Sequence, residues 1–211
     1  MTNNKIINWD NVFSESENFQ SKKPFKYAYI KGVFNNEFYE KLYKTYPKRD
    51  ETWTTDKDYR RSGFSKTLRN DYDTEITYDD SLSPEWNEFK KYISSNDFIE
   101  NFKKFSGIGI KGVFSSSFIA YEKGCFLLPH IDADGDYSQK IAILFYLSKN
   151  WKEGEAGGTH FSKDDDESTI FFEPYDLDNS MVCFEETPQS WHGCRMITKD
   201  VRRQAISVNV I

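Results

Sequence analysis

His130 and Asp132 stand two residues apart in LLPHIDADGDY (127–137), and His192 lies 60 positions beyond Asp132 (192 minus 132), in SWHGC (190–194). In an extended strand, side chains two apart share a face. The imidazole and the carboxylate therefore project together, and Ile131 faces away. That pair makes a two-toothed metal grip whose third ligand has to come from another strand. His192 is the candidate, because the one remaining histidine, His160, adjoins the Gly157-Gly158 turn. Two imidazoles and one carboxylate on one face of an octahedron leave three positions open, the usual donor set of non-haem Fe(II) centres. Zinc is more often held tetrahedrally, and a catalytic zinc keeps one open position. A His-x-Asp pair alone is also what a hydrogen-bonded surface pair looks like, so the weight falls on what lies downstream.

Near the C-terminus, DVRRQAISVNVI (200–211) reads as a strand. One face carries Arg203, Ala205, Ser207 and Asn209; the other carries Arg202, Gln204, Ile206, Val208 and Val210. The second face is apolar enough to pack, which leaves Arg203 among small and polar groups, as the wall of a cavity for a charged small molecule would be. A guanidinium grips a carboxylate through two parallel hydrogen bonds and stays charged at any relevant pH. Arg202, ten positions after His192, is the alternative; face parity and the following QAISV favour Arg203.

These side chains need a β framework. From residue 112 the runs GVFSSSFIAYEKG, CFLLPHID, QKIAILFYLS, GGTHFS, STIFFEP, SMVCFEE, SWHGCRMI and RRQAISVNVI are short and β-rich, punctuated by Gly, Pro, Asp and Asn. Eight such runs predict an antiparallel sandwich or jelly roll, with the preceding helices packed on one face. Upstream, residues 1–23 are polar and expected to be loosely ordered. KPFKYAYIKGVF (23–34) predicts a strand. NNEFYEKLYKTYP (35–47) predicts a short helix capped by Asn and stopped at Pro47. SPEWNEFKKYISSNDFIENFKKF (83–105) predicts one or two helices entered through Ser-Pro-Glu. Residues 48–83 lack a clean period and read as a long excursion with at most short elements. Its Arg60, Arg61, Lys66 and Arg69 suit either a lid facing an acidic substrate or a solvated loop.

The bulk numbers agree with one folded unit. A chain of 211 residues supports one sizeable core, and 18 Phe with 13 Tyr argue for a globular domain. A net charge of −6 disfavours nucleic acid as a partner. No stretch approaches the 18 or so apolar residues of a membrane span, and the N-terminus lacks the pattern of a signal peptide. Cys125, Cys183 and Cys194 form no CxxC pair and read as reduced thiols of a cytoplasmic protein. Nothing in the sequence specifies an oligomeric state.

With these motifs in order, the chain resembles the iron- and 2-oxoglutarate-dependent dioxygenases, and among them the prolyl 4-hydroxylase group. AILFYLSKNWKEGEAGG (142–158) is similar to the hydroxylase segment in which a strand ends in Tyr-Leu, a turn with Trp follows and Gly-Gly opens the next strand. RQAISV (203–208) resembles the strand whose basic residue holds the 2-oxoglutarate C5 carboxylate. The likeness covers residues 112–211; the N-terminal half matches loosely.

The resemblance implies a mainly β fold with N-terminal helices, built on a double-stranded β-helix of the jelly-roll, cupin-like kind. It implies a single domain over 1–211, with 24–111 supporting a catalytic core at 112–211. Fe(II) is expected on His130, Asp132 and His192, with 2-oxoglutarate and O₂ as co-substrates. Arg203 is expected to anchor the far carboxylate of 2-oxoglutarate, Tyr146 to hydrogen-bond it and Tyr121 to line the same site. The expected reaction is hydroxylation of an unactivated C–H bond, coupled to decarboxylation of 2-oxoglutarate to succinate and CO₂. The intact Asp132 carboxylate favours hydroxylation over halogenation. The substrate is either peptidyl, as for a prolyl residue, or a free amino acid or other small metabolite. A metal-holding jelly-roll sensor without turnover is the reading from outside the enzyme class. Trp191 is expected in the core, and Asp134 and Asp136 in a polar turn rather than a calcium site.

Overall fold

Burial alternates along the strand Arg203–Val210 and most of Val113–Tyr121, whereas Ile141–Tyr146, His160–Ser162, Ser180–Glu185 and His192–Cys194 are buried almost throughout. The protein is described here from a computed structural model covering residues 5–69, 76–132 and 140–211. The eight runs from residue 112 all form strands: β4 (Val113–Tyr121), β5 (Phe126–His130), β6 (Ile141–Tyr146), β7 (His160–Ser162), β8 (Ile170–Phe172), β9 (Ser180–Glu185), β10 (His192–Cys194) and β11 (Arg203–Val210). Upstream segments add β1 (Tyr27–Lys31), β2 (Thr54–Lys57) and β3 (Arg61–Arg69). The described strands pair antiparallel in the order β1-β9-β6-β11-β4-β3-β5-β10-β7-β8, with β2 on β3. The sheet curls into a half-barrel, the jelly-roll or double-stranded β-helix architecture expected from the sequence.

The outer face of the larger half carries Ile143 and Phe145 of β6, Cys183 of β9, and Ile206, Val208 and Val210 of β11, all buried. Against it pack α3 (Asn36–Lys44), α4 (Pro84–Ile93) and α5 (Asn96–Ser106). Phe145 stands edge-on to Phe89 at 5.7 Å, and Phe118 to Trp86 at 4.8 Å. The helices start and stop where local chemistry dictates: Asn35, Ser83 and Ser95 accept amide hydrogens at the three N-termini, and Gly107 closes α5 at φ 66°. The alternate residues of the same strands, Ala142, Tyr146, Val182, Phe184 and Ala205, turn inward and form the second cluster. β6 is thus covered on both faces, which is why it reads as a continuous apolar run. No described helix is long and apolar enough to cross a membrane.

Two expectations need correction. Residues 1–23 are not loose over their described part: α1 (Trp9–Ser14) and α2 (Ser16–Ser21) dock on α5. Trp9, Val12 and Phe19 are fully buried, the Trp9 indole donates to the Tyr92 hydroxyl at 2.6 Å, and Phe19 packs on Phe105 at 4.9 Å. Trp9→Ala should therefore cost about 3–5 kcal/mol, the usual penalty for truncating a buried tryptophan, read as a shifted urea midpoint; a loose terminus would show no shift. Residues 48–83 hold one element longer than expected. β3 runs nine residues and lies between β4 and β5, joining the two halves of the sheet. Its pattern was obscured because one face, Arg61, Gly63, Ser65 and Thr67, has no apolar side chain: that face meets the inside of the half-barrel.

Candidate active site

The two distant histidines meet through strand pairing. His192, first residue of β10, lies directly opposite His130, last residue of β5. Directly paired residues present their side chains on the same face, and the two rings are 4.3 Å apart. Asp132 sits just past the end of β5, yet its carboxylate still turns back, 3.1 Å from His130 Nε2 and 3.7 Å from His192 Nε2. One donor atom from each of the three lies within 4.8 Å of the others.

The backbone sets the tautomers. His130 Nδ1 is 3.0 Å from the Leu128 carbonyl and His192 Nδ1 is 2.9 Å from the Ser190 carbonyl. A carbonyl only accepts, so each Nδ1 carries the hydrogen and each Nε2 turns a lone pair towards Asp132. This is the outer-shell arrangement that orients imidazole ligands in metal sites. Burial of His192 pushes its imidazole down to about 4, so it is neutral at physiological pH. Burial alone would raise the Asp132 carboxyl, but the two imidazoles beside it, which favour the anion once protonated, outweigh burial and hold it at about 2. Two imidazole nitrogens and one carboxylate oxygen suit a divalent first-row metal. Gly193 separates His192 from Cys194, and a Cβ there would lie 2.5 Å from the Leu127 carbonyl oxygen and 2.8 Å from His160 Nε2.

The donors open on a cavity of about 230 Å³ whose inner end is Arg203. Arg203 is 2% exposed and forms no ion pair with a carboxylate among the described residues. Its Nε donates to the Gly157 carbonyl at 2.7 Å, Nη2 lies 3.5 Å from Thr159 Oγ1, and Cζ sits 5.0 and 5.2 Å from the ring centres of Tyr121 and Tyr146. The Trp-containing turn and Gly-Gly of the 142–158 segment explain that anchor. Trp151 donates to the Ala156 carbonyl at 2.9 Å and its ring covers Gly157, where φ is 146° and any Cβ would clash with the indole. Tyr121 lines the cavity. Tyr146 is fully buried, donates to Thr159 Oγ1 and accepts from the Thr159 amide, both at 2.8 Å, so Thr159 is what the cavity wall presents. Burial raises both phenols and keeps them neutral.

Arg202 faces the other way, over Tyr46 and Trp53, and donates to the Pro47 carbonyl. Arg203, Ser207 and Asn209 line the cavity while Ile206, Val208 and Val210 join the outer core, the division that face parity predicts. The basic residues singled out in 48–83 do not act together: Arg61 lines the cavity, Arg60 an adjoining groove, Lys66 lies opposite Phe118 on the other face of β3, and Arg69 donates to the Val113 carbonyl at the far end of β3. Trp191, expected in the core, is half-buried, and its carbonyl accepts from the Ser162 amide. Asp134 and Asp136 lie outside the described residues. Thr159, Asp56 and Gly63 were missed by the sequence reading. For Thr159 a signal existed, since it alternates with the inward-turned Phe161. Asp56 and Gly63 reach the site only through the β2–β3 hairpin.

His160 stays out of the donor set. It pairs with Gly193 and is fully buried, and neither ring nitrogen has a hydrogen-bond partner among the described residues. Burial pushes it down to about 4, whereas an unfolded chain titrates near ~6.5. Between those values the unfolded state binds a proton that the folded state excludes, so stability falls as pH drops through that window. The metal-free protein should lose about 2 kcal/mol for each such histidine between pH 7 and 5. Urea midpoints at the two pH values check this, and His160→Gln should remove its share of the slope.

Residues 116–210 match the model of the 2OG-Fe(II) oxygenase superfamily. That family implies Fe(II), 2-oxoglutarate and O₂. Within it, the fold is prolyl 4-hydroxylase-like. It is similar to a Pseudomonas putida prolyl-4-hydroxylase (13% identity, TM-score 0.69), over 94% of this chain and 97% of that one. A Trichoplax adhaerens prolyl hydroxylase, solved with a hypoxia inducible factor oxygen degradation domain peptide fragment, matches at 12% identity and TM-score 0.62 (96% and 88% covered). The viral collagen prolyl hydroxylase of Paramecium Bursaria Chlorella virus-1, solved as its 2OG complex, matches at 14% and 0.56 (87% and 94%). No curated protein matches this chain in sequence.

Proposed function

We propose that the protein hydroxylates an unactivated C–H bond, with Fe(II) held by His130, Asp132 and His192 and 2-oxoglutarate held through its far carboxylate by Arg203. One observation carries this reading: a buried guanidinium with no carboxylate partner among the described residues lines the same cavity onto which two imidazoles and a carboxylate converge. A buried unpaired cation is costly, and a dicarboxylate in that cavity would supply the missing charge. The sensor reading offers no use for such an anchor.

Bound there, Fe(II) with 2-oxoglutarate and O₂ supplies the oxidising chemistry that places one oxygen atom in the substrate and the other in succinate as CO₂ leaves. The chain's own residues orient and insulate. The Leu128 and Ser190 carbonyls fix both imidazoles, and Asp132 stays ionised. Phe184, 4.6 Å from the His192 ring, gives that side of the donors an apolar wall. Thr159 Oγ1, its own acceptor side engaged by Tyr146, can donate to the carboxylate that Arg203 grips. Tyr146 is a positioning residue, acting through Thr159, and Tyr121 walls the guanidinium.

The remaining expectations stand beside this reading. We place residues 1–211 in one domain, since β1 and β3 enter the sheet of the 112–211 core. Three buried free thiols and a net charge of −6 fit a reducing, cytoplasmic setting and a substrate other than nucleic acid. The test is calorimetric titration of 2-oxoglutarate into the protein with Mn(II), followed by succinate release with Fe(II) in air. Metal-dependent binding and slow release without added substrate are expected. Metal binding without 2-oxoglutarate binding would overturn the reading in favour of a sensor.

A further inference from the structure

The cavity holds a second arginine and a second carboxylate for which the co-substrate has no use. Arg61 and Asp56 both line it together with His130 and Asp132. They come from one face of the β2–β3 hairpin: Asp56 lies opposite Gly63, and Arg61 is two residues before Gly63 on the same side of β3. Gly63 contributes no side chain, and a Cβ there would overlap the Tyr121 ring, so the hairpin lies directly on the cavity wall.

These two charges do not neutralise each other. Asp56 accepts one hydrogen bond, from Ser65 Oγ at 3.0 Å, and forms no ion pair among the described residues. Arg61 is exposed at the cavity mouth, where its charge also acts on the Asp132 carboxylate; it donates through Nε to Asp58 at 3.3 Å, and no hydrogen bond from its Nη atoms is made among the described residues. The planar end of that guanidinium is thus left in the geometry that grips a carboxylate. Arg203 already accounts for the distal carboxylate of 2-oxoglutarate, so Arg61 is matched to a different anion, and Asp56 to a cation beside it.

We infer that the second substrate is a small zwitterion, a free α-amino acid, with its carboxylate on Arg61 and its ammonium on Asp56. This rests on the oxygenase reading above and deepens it. A residue inside a peptide presents neither charge and would leave both hairpin groups unmatched. The reaction balances as for any such hydroxylation: O₂ gives one atom to the amino acid C–H and one to succinate, and 2-oxoglutarate loses CO₂.

The test is succinate release by the full chain with Fe(II) and 2-oxoglutarate, over a panel of free L-amino acids, their N-acetyl and carboxamide derivatives, and short peptides containing the same residues. At least one free amino acid should raise release more than tenfold over the substrate-free rate, and either blocking group should abolish that rise. Arg61→Gln should then shrink the preference for acid over carboxamide by tenfold or more. Asp56→Asn should do the same for free amine over N-acetyl. Stimulation by peptides but by no free amino acid, or blocked forms that work equally well, would overturn the inference and leave the oxygenase reading intact. No 2-oxoglutarate turnover under any condition would remove both.

Discussion

His192→Ala should lower turnover by more than about three orders of magnitude, roughly 4 kcal/mol of lost transition-state stabilisation, and should weaken divalent metal binding in parallel. The effect follows from position. His192 is the one donor supplied by β10, and its Nε2 shares the Asp132 carboxylate with His130 Nε2. Outer-shell changes around such ligands cost about 10–100-fold in affinity or activity, and removal of the ligand itself exceeds that. Asp132→Asn tests the charge separately, because the amide keeps the shape and removes the anion. Co(II) absorption of each variant reads the metal site without turnover. His160→Ala is the comparison: its ring lies buried behind Gly193, so the Co(II) spectrum of the folded variant should be that of the wild type. A full metal signal from His192→Ala would refute the ligand assignment.

Arg203→Met should raise the 2-oxoglutarate KM at least ~30-fold, since truncating one partner of a buried charged pair costs about 2 kcal/mol or more. The same substitution should leave the ligand-free protein as stable as the wild type or more so, because it replaces an unpaired buried cation with an apolar chain of similar length. Affinity and stability moving in opposite directions is a signature that a merely structural arginine would not give. Arg202→Met should leave the KM within about twofold of wild type, at the ±0.5 kcal/mol scale of residues outside the site. A larger KM effect from Arg202 would mean that the wrong arginine had been assigned.

The parts of this site that could be read from sequence are those set by short-range periodicity. Alternation alone separates Arg203, Ser207 and Asn209 from Ile206, Val208 and Val210, and the structure keeps that division. His130 and Asp132 were legible for the same reason, although Asp132 lies beyond the strand end, where pleat geometry no longer places it. The direct pairing of His192 with His130 was not legible, because register between segments 60 residues apart is set by the whole curled sheet. β3 escaped because a strand facing a polar cavity loses the apolar half of its alternation. α1 and α2 escaped because each is only six residues long and their buried Trp9, Val12 and Phe19 are spread over both.

Gly193 gives the donor pair an unusual neighbour. The backbone of β10 runs so close to the Leu127 carbonyl and the His160 ring that even one methyl group has nowhere to go. Any replacement would wedge apart the two chain segments that carry the imidazoles, by an amount that metal coordination geometry does not tolerate. In a library randomised at this codon, selection for an active oxygenase would return glycine alone, while selection for solubility alone would be more permissive.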